Sequence, residues 1–449
     1  MTASPFDSPL YAKLFGEAEV GRLFTDSAAV RAMLIVEGAL ARAQGAAGVI
    51  PETSAAFIHR AAMEVQIDPA GLADETGQSA VCVPALVGAF RHAMEAPEHA
   101  RHLHYGATSQ DIMDTGLTLR LRQVVAIYDT RLRALADALG QLAQTHAHTP
   151  MAARTYAQVA TVTSFGAVAA GWGAPLPRLL DQLEALRPDL LSISLSGAAG
   201  TLSAMGPEGP AIRAAMAQAL KLTDPGESWH ANRDRIAGFT AWMTLTATAL
   251  GKMGEDLTLL AQSEVGEVTL KGAGGSSTMP QKTNPVMPSL LVALARQIVA
   301  LNSAMQGAAI HRQQRDGAAW MVEWMSLPQI CIALGRALEV ATELARTLSP
   351  RPARMAEGID DGRGLIYAEA LSFALAGPLG RPEAQAGVKA LCQQIAAEGG
   401  SLQSRALDRW PDHAGLVKPV FDPAAQLGTA PDEALTFAAR TRELATKTR

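Results

Sequence analysis

The sequence predicts an all-α protein organised around a central bundle of long helices. Aromatic residues make up 5% of the 449 residues, while Ala, Leu and Gly abound, which suits close-packed helices better than a sheet core. Leu121, Val125, Tyr128, Leu132, Leu135, Leu139 and Leu142 recur at alternating spacings of four and three. That is the stripe of a helix packed nearly parallel to its bundle neighbours. No segment alternates with period two convincingly enough to build a sheet. The length exceeds one simple core, so three helical pieces are expected: residues 1–105, 106–350 and 351–449.

In order along the chain, Asp26-Ser27 can cap a helix through Val30, Met33, Leu34, Glu37 and Leu40 that ends before Gly45. Pro51-Glu52-Thr53 and Asp68-Pro69 start two more. Thr76 to Ser79 precedes another, with Val83, Leu86, Val87 and Phe90 on one face. The block His102 to Asp111, HLHYGATSQD, leads into the long striped helix, which Thr149-Pro150 breaks. A second long helix is expected from about Thr161 to Leu186, and a glycine-rich turn at Ser194 to Leu202. Trp229 to Arg235 opens a third long helix, apolar or small almost all round through Phe239, Trp242, Met243, Leu245, Leu250 and Met253. Such a helix belongs at a bundle centre or a subunit interface. A fourth runs from about Pro285 through Leu290, Leu294, Ile298 and Leu301, and a fifth from about Leu327 to Thr347. Ser349-Pro350-Arg351-Pro352 separates the C-terminal piece.

Lys plus Arg is 38 and Asp plus Glu is 43, a net charge of −5, which argues against a nucleic-acid partner. Cys82, Cys331 and Cys392 are far apart and odd in number, so neither a disulfide framework nor a zinc knuckle is expected, and a reducing cytoplasm fits. The N-terminal stretch lacks a basic region followed by an apolar run, and no apolar segment reads as long enough to span a bilayer, so neither signal peptide nor membrane contact is expected. The ten histidines include no HExxH, and no dinucleotide or phosphate-loop pattern appears, so no metal or cofactor is expected.

The stretch Gly274 to Pro285, GGSSTMPQKTNP, carries the most chemistry. Glycines, hydroxyls, one Lys and one Asn in a loop suit a site that binds an anion and moves a proton. These residues resemble the GSSxMPxKxNP signature of the fumarase/aspartase superfamily, and other parts of the chain look closest to its 3-carboxy-cis,cis-muconate cycloisomerase branch. Two positions depart from that branch: Gln281 stands where His is common and Thr283 where Arg is common. The resemblance implies a lyase-type enzyme that removes a proton next to a carboxylate, with Ser276 as base. A serine hydroxyl serves only if its alkoxide is stabilised, here by Lys282 and loop amides in a site closed against water. Ser277 and Asn284 would bind substrate beside it.

Thr108 and Ser109 match a Thr-Ser pair that holds a substrate carboxylate in the superfamily, and His104 in the same block would orient substrate. Ser109 also stands where a helix cap would be. Arg315, near the pattern Trp320-Met321-Val322-Glu323-Trp324, would clamp a second carboxylate, and Arg235 is a weaker anion-binding candidate. In the block Arg154 to Thr161, relatives that expel hydroxide or an amine carry a His to protonate the leaving group. This chain has Tyr156 there and keeps Gln158, which can bind a carboxylate. A lactone that opens expels a carboxylate of pKa about 4, which needs no proton to depart. The resemblance therefore implies a cofactor-free cycloisomerase acting on a small polycarboxylate, as a homotetramer whose sites draw on several subunits. A superfamily lyase that cleaves a C–N bond, and a helical oligomer without activity, are the competing readings.

Overall fold

The structure is a computed structural model that describes residues 4–271, 274–275 and 279–446. It is all-α, with a few short strands. Helix α1 (Asp26–Ala46) starts behind Thr25, whose hydroxyl accepts from Ala28 N at 3.3 Å, so the cap lies one residue ahead of the expected pair. It pairs with α2 (Glu52–Glu64). A Cβ on Gly45 would stand 2.3 Å from Ala55 Cβ, and one on Gly38 2.8 Å from Ala62 Cβ. Small residues on both helices set that close approach. Helix α3 (Val83–Ala93) buries Val83, Leu86, Val87 and Phe90, the face expected. The long striped helix is α4 (Ser109–Thr145), and Leu121, Val125, Tyr128, Leu132, Leu135 and Leu139 are all buried along it.

The expected second long helix is not formed. Its first part is strand, and the rest is two helices. Strands β1 (Pro150–Thr155) and β2 (Gln158–Ser164) make an antiparallel hairpin, followed by α5 (Phe165–Gly173) and α6 (Leu176–Leu190). Val159, Thr161, Val162 and Thr163 are β-branched and favour the pleated surface. Ser164 then caps α5 by accepting from Ala167 N at 3.1 Å, and Pro175 separates α5 from α6. The hairpin escaped notice because its two-residue turn is Tyr156-Ala157. Both have positive φ, 51° and 60°, where Asn-Gly is the usual signal.

Then come α7 (Gly209–Leu220), α8 (Asp234–Leu260), β3 (Val268–Thr269), β4 (Gly274–Gly275) and β5 (Thr283–Asn284). Last are α9 (Val286–Ala308), α10 (Gly317–Thr347), β6 (Ser349–Pro350), and a C-terminal set that includes α11 (Pro352–Ile359), α12 (Arg381–Glu398) and α13 (Ala430–Thr446). Helix α10 begins ten residues ahead of the expected Leu327, because Asp316 accepts from Ala318 N and Ala319 N and starts the helix there. Helix α8 buries Phe239, Trp242, Met243, Leu250 and Met253 but leaves Leu245 and Leu259 half exposed, so it is not covered on every side within one chain. By length and composition helix α9 is apolar enough to cross a membrane, but Arg296 and Gln297 interrupt the run, and its Leu290, Leu291, Leu294 and Ile298 are buried within the chain.

The chain divides into two compact units. The first takes Met1–Arg131, Leu179–Thr248 and Ala293–Leu338. Its core gathers Leu34, Leu40, Ile58, Leu86, Phe90, Ile112, Ile193 and Leu195. Tyr128, Phe239 and Trp242 stack within it, and the Tyr128 hydroxyl donates to Cys331 O at 2.6 Å. The second takes Leu132–Arg178, Ala249–Val292 and Glu339–Arg449. Its C-terminal core packs Leu371, Leu375, Val388, Leu391 and Ile395 with Val162 of β2. Arg154 on β1 makes a two-pronged pair with the buried Glu267, at 2.9 and 2.7 Å, and α13 lies so close to α4 and α5 that only glycine fits at Gly140 and Gly173.

Candidate active site

In the first unit the site is built from the start of α4. Thr108 occupies the cap position and Ser109 is the first helical residue, one place on from the expected cap. Asp111, two residues further and fully buried, accepts from Thr108 N at 3.0 Å, half of a capping box. The same carboxylate takes Ser196 N at 2.8 Å, Gly197 N at 3.0 Å and His230 Nε2 at 2.8 Å. One buried carboxylate therefore ties the glycine-rich turn and the approach to α8 to the Thr108 segment. Ser194 Oγ donates to it as well, at 3.5 Å, so five donors surround the buried carboxylate.

Gln110 is equally well determined. Its Nε2 donates to Asp114 Oδ2 at 3.1 Å and to His230 O at 2.9 Å, so its Oε1 faces the other way and accepts from Arg315 Nε at 2.7 Å. Arg315 Nη2 reaches Thr108 Oγ1 at 3.4 Å and Ala198 O at 3.3 Å. The structure thus brings Thr108 and Arg315 together. The side edge of the guanidinium is held by neutral groups, and Nη1 has no partner among the described residues. Asp316, next in sequence, is instead engaged by Arg312, whose guanidinium holds the Asp316 carboxyl well below the usual carboxylate range. Arg315 is therefore a cation positioned by neutral acceptors, with one edge open for an anion.

Beneath this lies a fully buried ion cluster. Arg233 donates to Asp114 at 2.7 and 3.1 Å and to Glu323 at 3.0 and 2.6 Å, all three side chains within 2% of complete burial. Burial opposes its charge, but the two carboxylates outweigh it and raise the guanidinium pKa further. The cluster ties α4, α8 and α10 together and, through Asp114 and Gln110, supports Arg315.

His104 has a left-handed backbone, φ 63°, and its Nδ1 lies 2.6 Å from Oε1 of the buried Glu37. Burial pulls the imidazole pKa down, but the hydrogen bond to Glu37 and the charges of Glu37 and Asp111 more than reverse this, and the net shift is upward. Arg235 is buried against the Trp229 ring, its guanidinium carbon 5.3 Å from the centroid, with Nε and Nη1 unpaired. It is not the solvated helix start that its sequence also suggested.

The second unit holds the remaining candidates. Gln158 is exposed and pairs with Thr155 across the hairpin, beside a fully exposed Tyr156. Asn284 pairs with Gly274 and Thr283 with Gly275, so the ends of the signature stretch form a small hairpin, and Lys282 is exposed on it. Ser276 and Ser277 lie outside the described residues.

Residue-by-residue reading missed Glu37, Gln110 and Asp111. Glu37 did give a signal, a charged residue inside the apolar stripe of α1. Gln110 and Asp111 lay within a block already singled out, but their partners come from residues about 80 to 200 positions away.

A lyase family profile matches residues 18–300. The chain is 38% identical over 401 residues to the 3-carboxy-cis,cis-muconate cycloisomerase of Pseudomonas putida, covering 88% of this chain and 95% of that one. To the enzyme of the same name from Pseudomonas aeruginosa it is 37% identical over 431 residues, 94% of each chain. The crystal structure of the 3-carboxy-cis,cis-muconate lactonizing enzyme from Pseudomonas putida superposes with a TM-score of 0.92 at 35% identity, over 98% of this chain and 100% of that one. With the profile, the relatives and the fold in agreement, the chain belongs to the fumarase/aspartase superfamily of lyases.

Proposed function

We propose that this protein interconverts 3-carboxy-cis,cis-muconate and its carboxymuconolactone, a step of aromatic degradation in the cytoplasm. The observation that carries the reading is Arg315, a cation held only by neutral acceptors with an edge left open, as a polycarboxylate requires. The names of the similar enzymes support the same substrate. In the lactone-opening direction, Ser276 takes the proton from the carbon next to a carboxylate. The released electron pair forms the new double bond, the ring C–O bond breaks, and the ring oxygen leaves as a carboxylate. In the other direction a carboxylate oxygen adds to the alkene and the proton returns to carbon. Lys282 stabilises the serine alkoxide, Arg315 and Thr108 hold one carboxylate, and Ser109, Gln158, Ser277 and Asn284 complete the binding set. An ultraviolet assay for loss of the conjugated tricarboxylate, run beside adenylosuccinate and argininosuccinate, tests it. Turnover of either of the latter in place of the muconate overturns the assignment.

The working form we propose is a homotetramer whose sites combine segments of different subunits. The half-exposed Leu245 and Leu259 of α8 and the exposed Val286 and Val299 of α9 support it, since a solvated chain gains nothing from exposing such side chains. Sedimentation velocity should show one species at four times the chain mass. A stable, active monomer removes the proposal.

A further inference from the structure

Helix α1 grips the segment before Thr108 with two buried polar side chains seven residues apart, on the face that otherwise carries Leu34, Leu40 and Ala41. Gln44 Nε2 donates to Tyr105 O at 2.6 Å. Glu37, 1% exposed, faces His104 Nδ1 through Oε1, while its Oε2 is buried without a partner. A carboxylate placed in an apolar stripe with one oxygen unsatisfied is poor packing and needs another reason. His104 supplies it. The imidazole is 18% exposed on the side chain, its Nε2 has no partner among the described residues, and its backbone is left-handed. The ring is turned so that one nitrogen is fixed and the other is free.

We infer that Glu37 is a positioning residue acting through His104: it accepts the Nδ1 proton and holds the imidazole as a cation that offers Nε2–H to a substrate carboxylate. An imidazole so held is a donor, not a base, which agrees with leaving proton abstraction to another group. The charged groups acting on the ring are Glu37 on α1 and Asp111 on α4, which favour the cation, and Arg91 on α3, which opposes it. The inference rests on the polycarboxylate reading only for the identity of the ligand.

Two measurements test it. Diethylpyrocarbonate acylates neutral imidazole, so near pH 6.5, about the ordinary imidazole pKa, His104 should be modified several-fold faster in Glu37→Gln than in wild type, read by peptide mass spectrometry. Glu37→Asp, which keeps the charge, should restore slow labelling in part, and it stands in if Glu37→Gln does not fold. In steady-state assays Glu37→Gln should raise KM by about 10-fold with kcat little changed, as a charge-assisted donor is replaced by a neutral one. Adding Glu37→Gln to His104→Asn should cost nothing more. Unchanged labelling, or full additivity with His104→Asn, overturns the inference. Labelling needs no substrate, so a protein inactive on the muconate would sink the functional reading and leave this one decidable.

Discussion

Ser276→Ala is expected to lower kcat by at least about 100-fold, with a smaller change in KM. In the proposed mechanism the substitution removes the proton acceptor but leaves Arg315, Thr108 and the other proposed carboxylate donors in place, so ground-state binding should persist while the transition state loses its base. Tyr156→Phe is the companion measurement. Tyr156 stands where superfamily members that expel poor leaving groups carry a His, and its side chain is fully exposed at the tip of the β1–β2 hairpin. If the leaving group is a carboxylate, no acid is required and Tyr156→Phe should cost far less than Ser276→Ala. Equal damage in kcat from both would make Tyr156 the acid, and a C–N or C–O lyase would become the better reading.

Arg233→Met is expected to destabilise the fold by about 3–5 kcal/mol, the cost of breaking a buried pair by removing one partner. The methionine would leave Asp114 and Glu323 facing each other without a cation. Burial already pushes the Glu323 carboxyl above its ordinary range, and in the variant nothing opposes that. The folded state then binds more protons than the unfolded one, so stability falls as pH rises, and the variant should be worst off above neutrality. Urea denaturation at pH 5.5 and pH 8 checks both size and direction. A loss below about 1 kcal/mol, within the range of an ordinary surface substitution, would show that the cluster is not a structural keystone.

The long helices were legible because their stripes repeat over many turns: the heptad-like run of α4 and the face of α3 are buried as read. The β1–β2 hairpin was not, since Tyr156-Ala157 reaches left-handed backbone without the residues that advertise it. The start of α10 was set by Asp316 accepting from two amides, a local contact that leaves no periodic trace. At the candidate site, Thr108 and Arg315 were singled out from blocks of sequence, and the structure brings the two side chains into contact. Gln110 and Asp111 were not, because their role is to join segments distant in the chain.

Asp111 has a thermodynamic consequence. Because it already holds Ser196 N, Gly197 N and Thr108 N in the folded chain, the glycine-rich turn loses its freedom during folding and not when a ligand arrives. A flexible turn of this composition would otherwise surrender about 1–2 kcal/mol of backbone entropy per residue at the moment of association. Calorimetry of substrate association should accordingly show little entropic opposition from this segment. A change at Asp111, which the substrate need never touch, would surface as weakened affinity with an unfavourable entropy, while the contacts of the bound complex stayed the same.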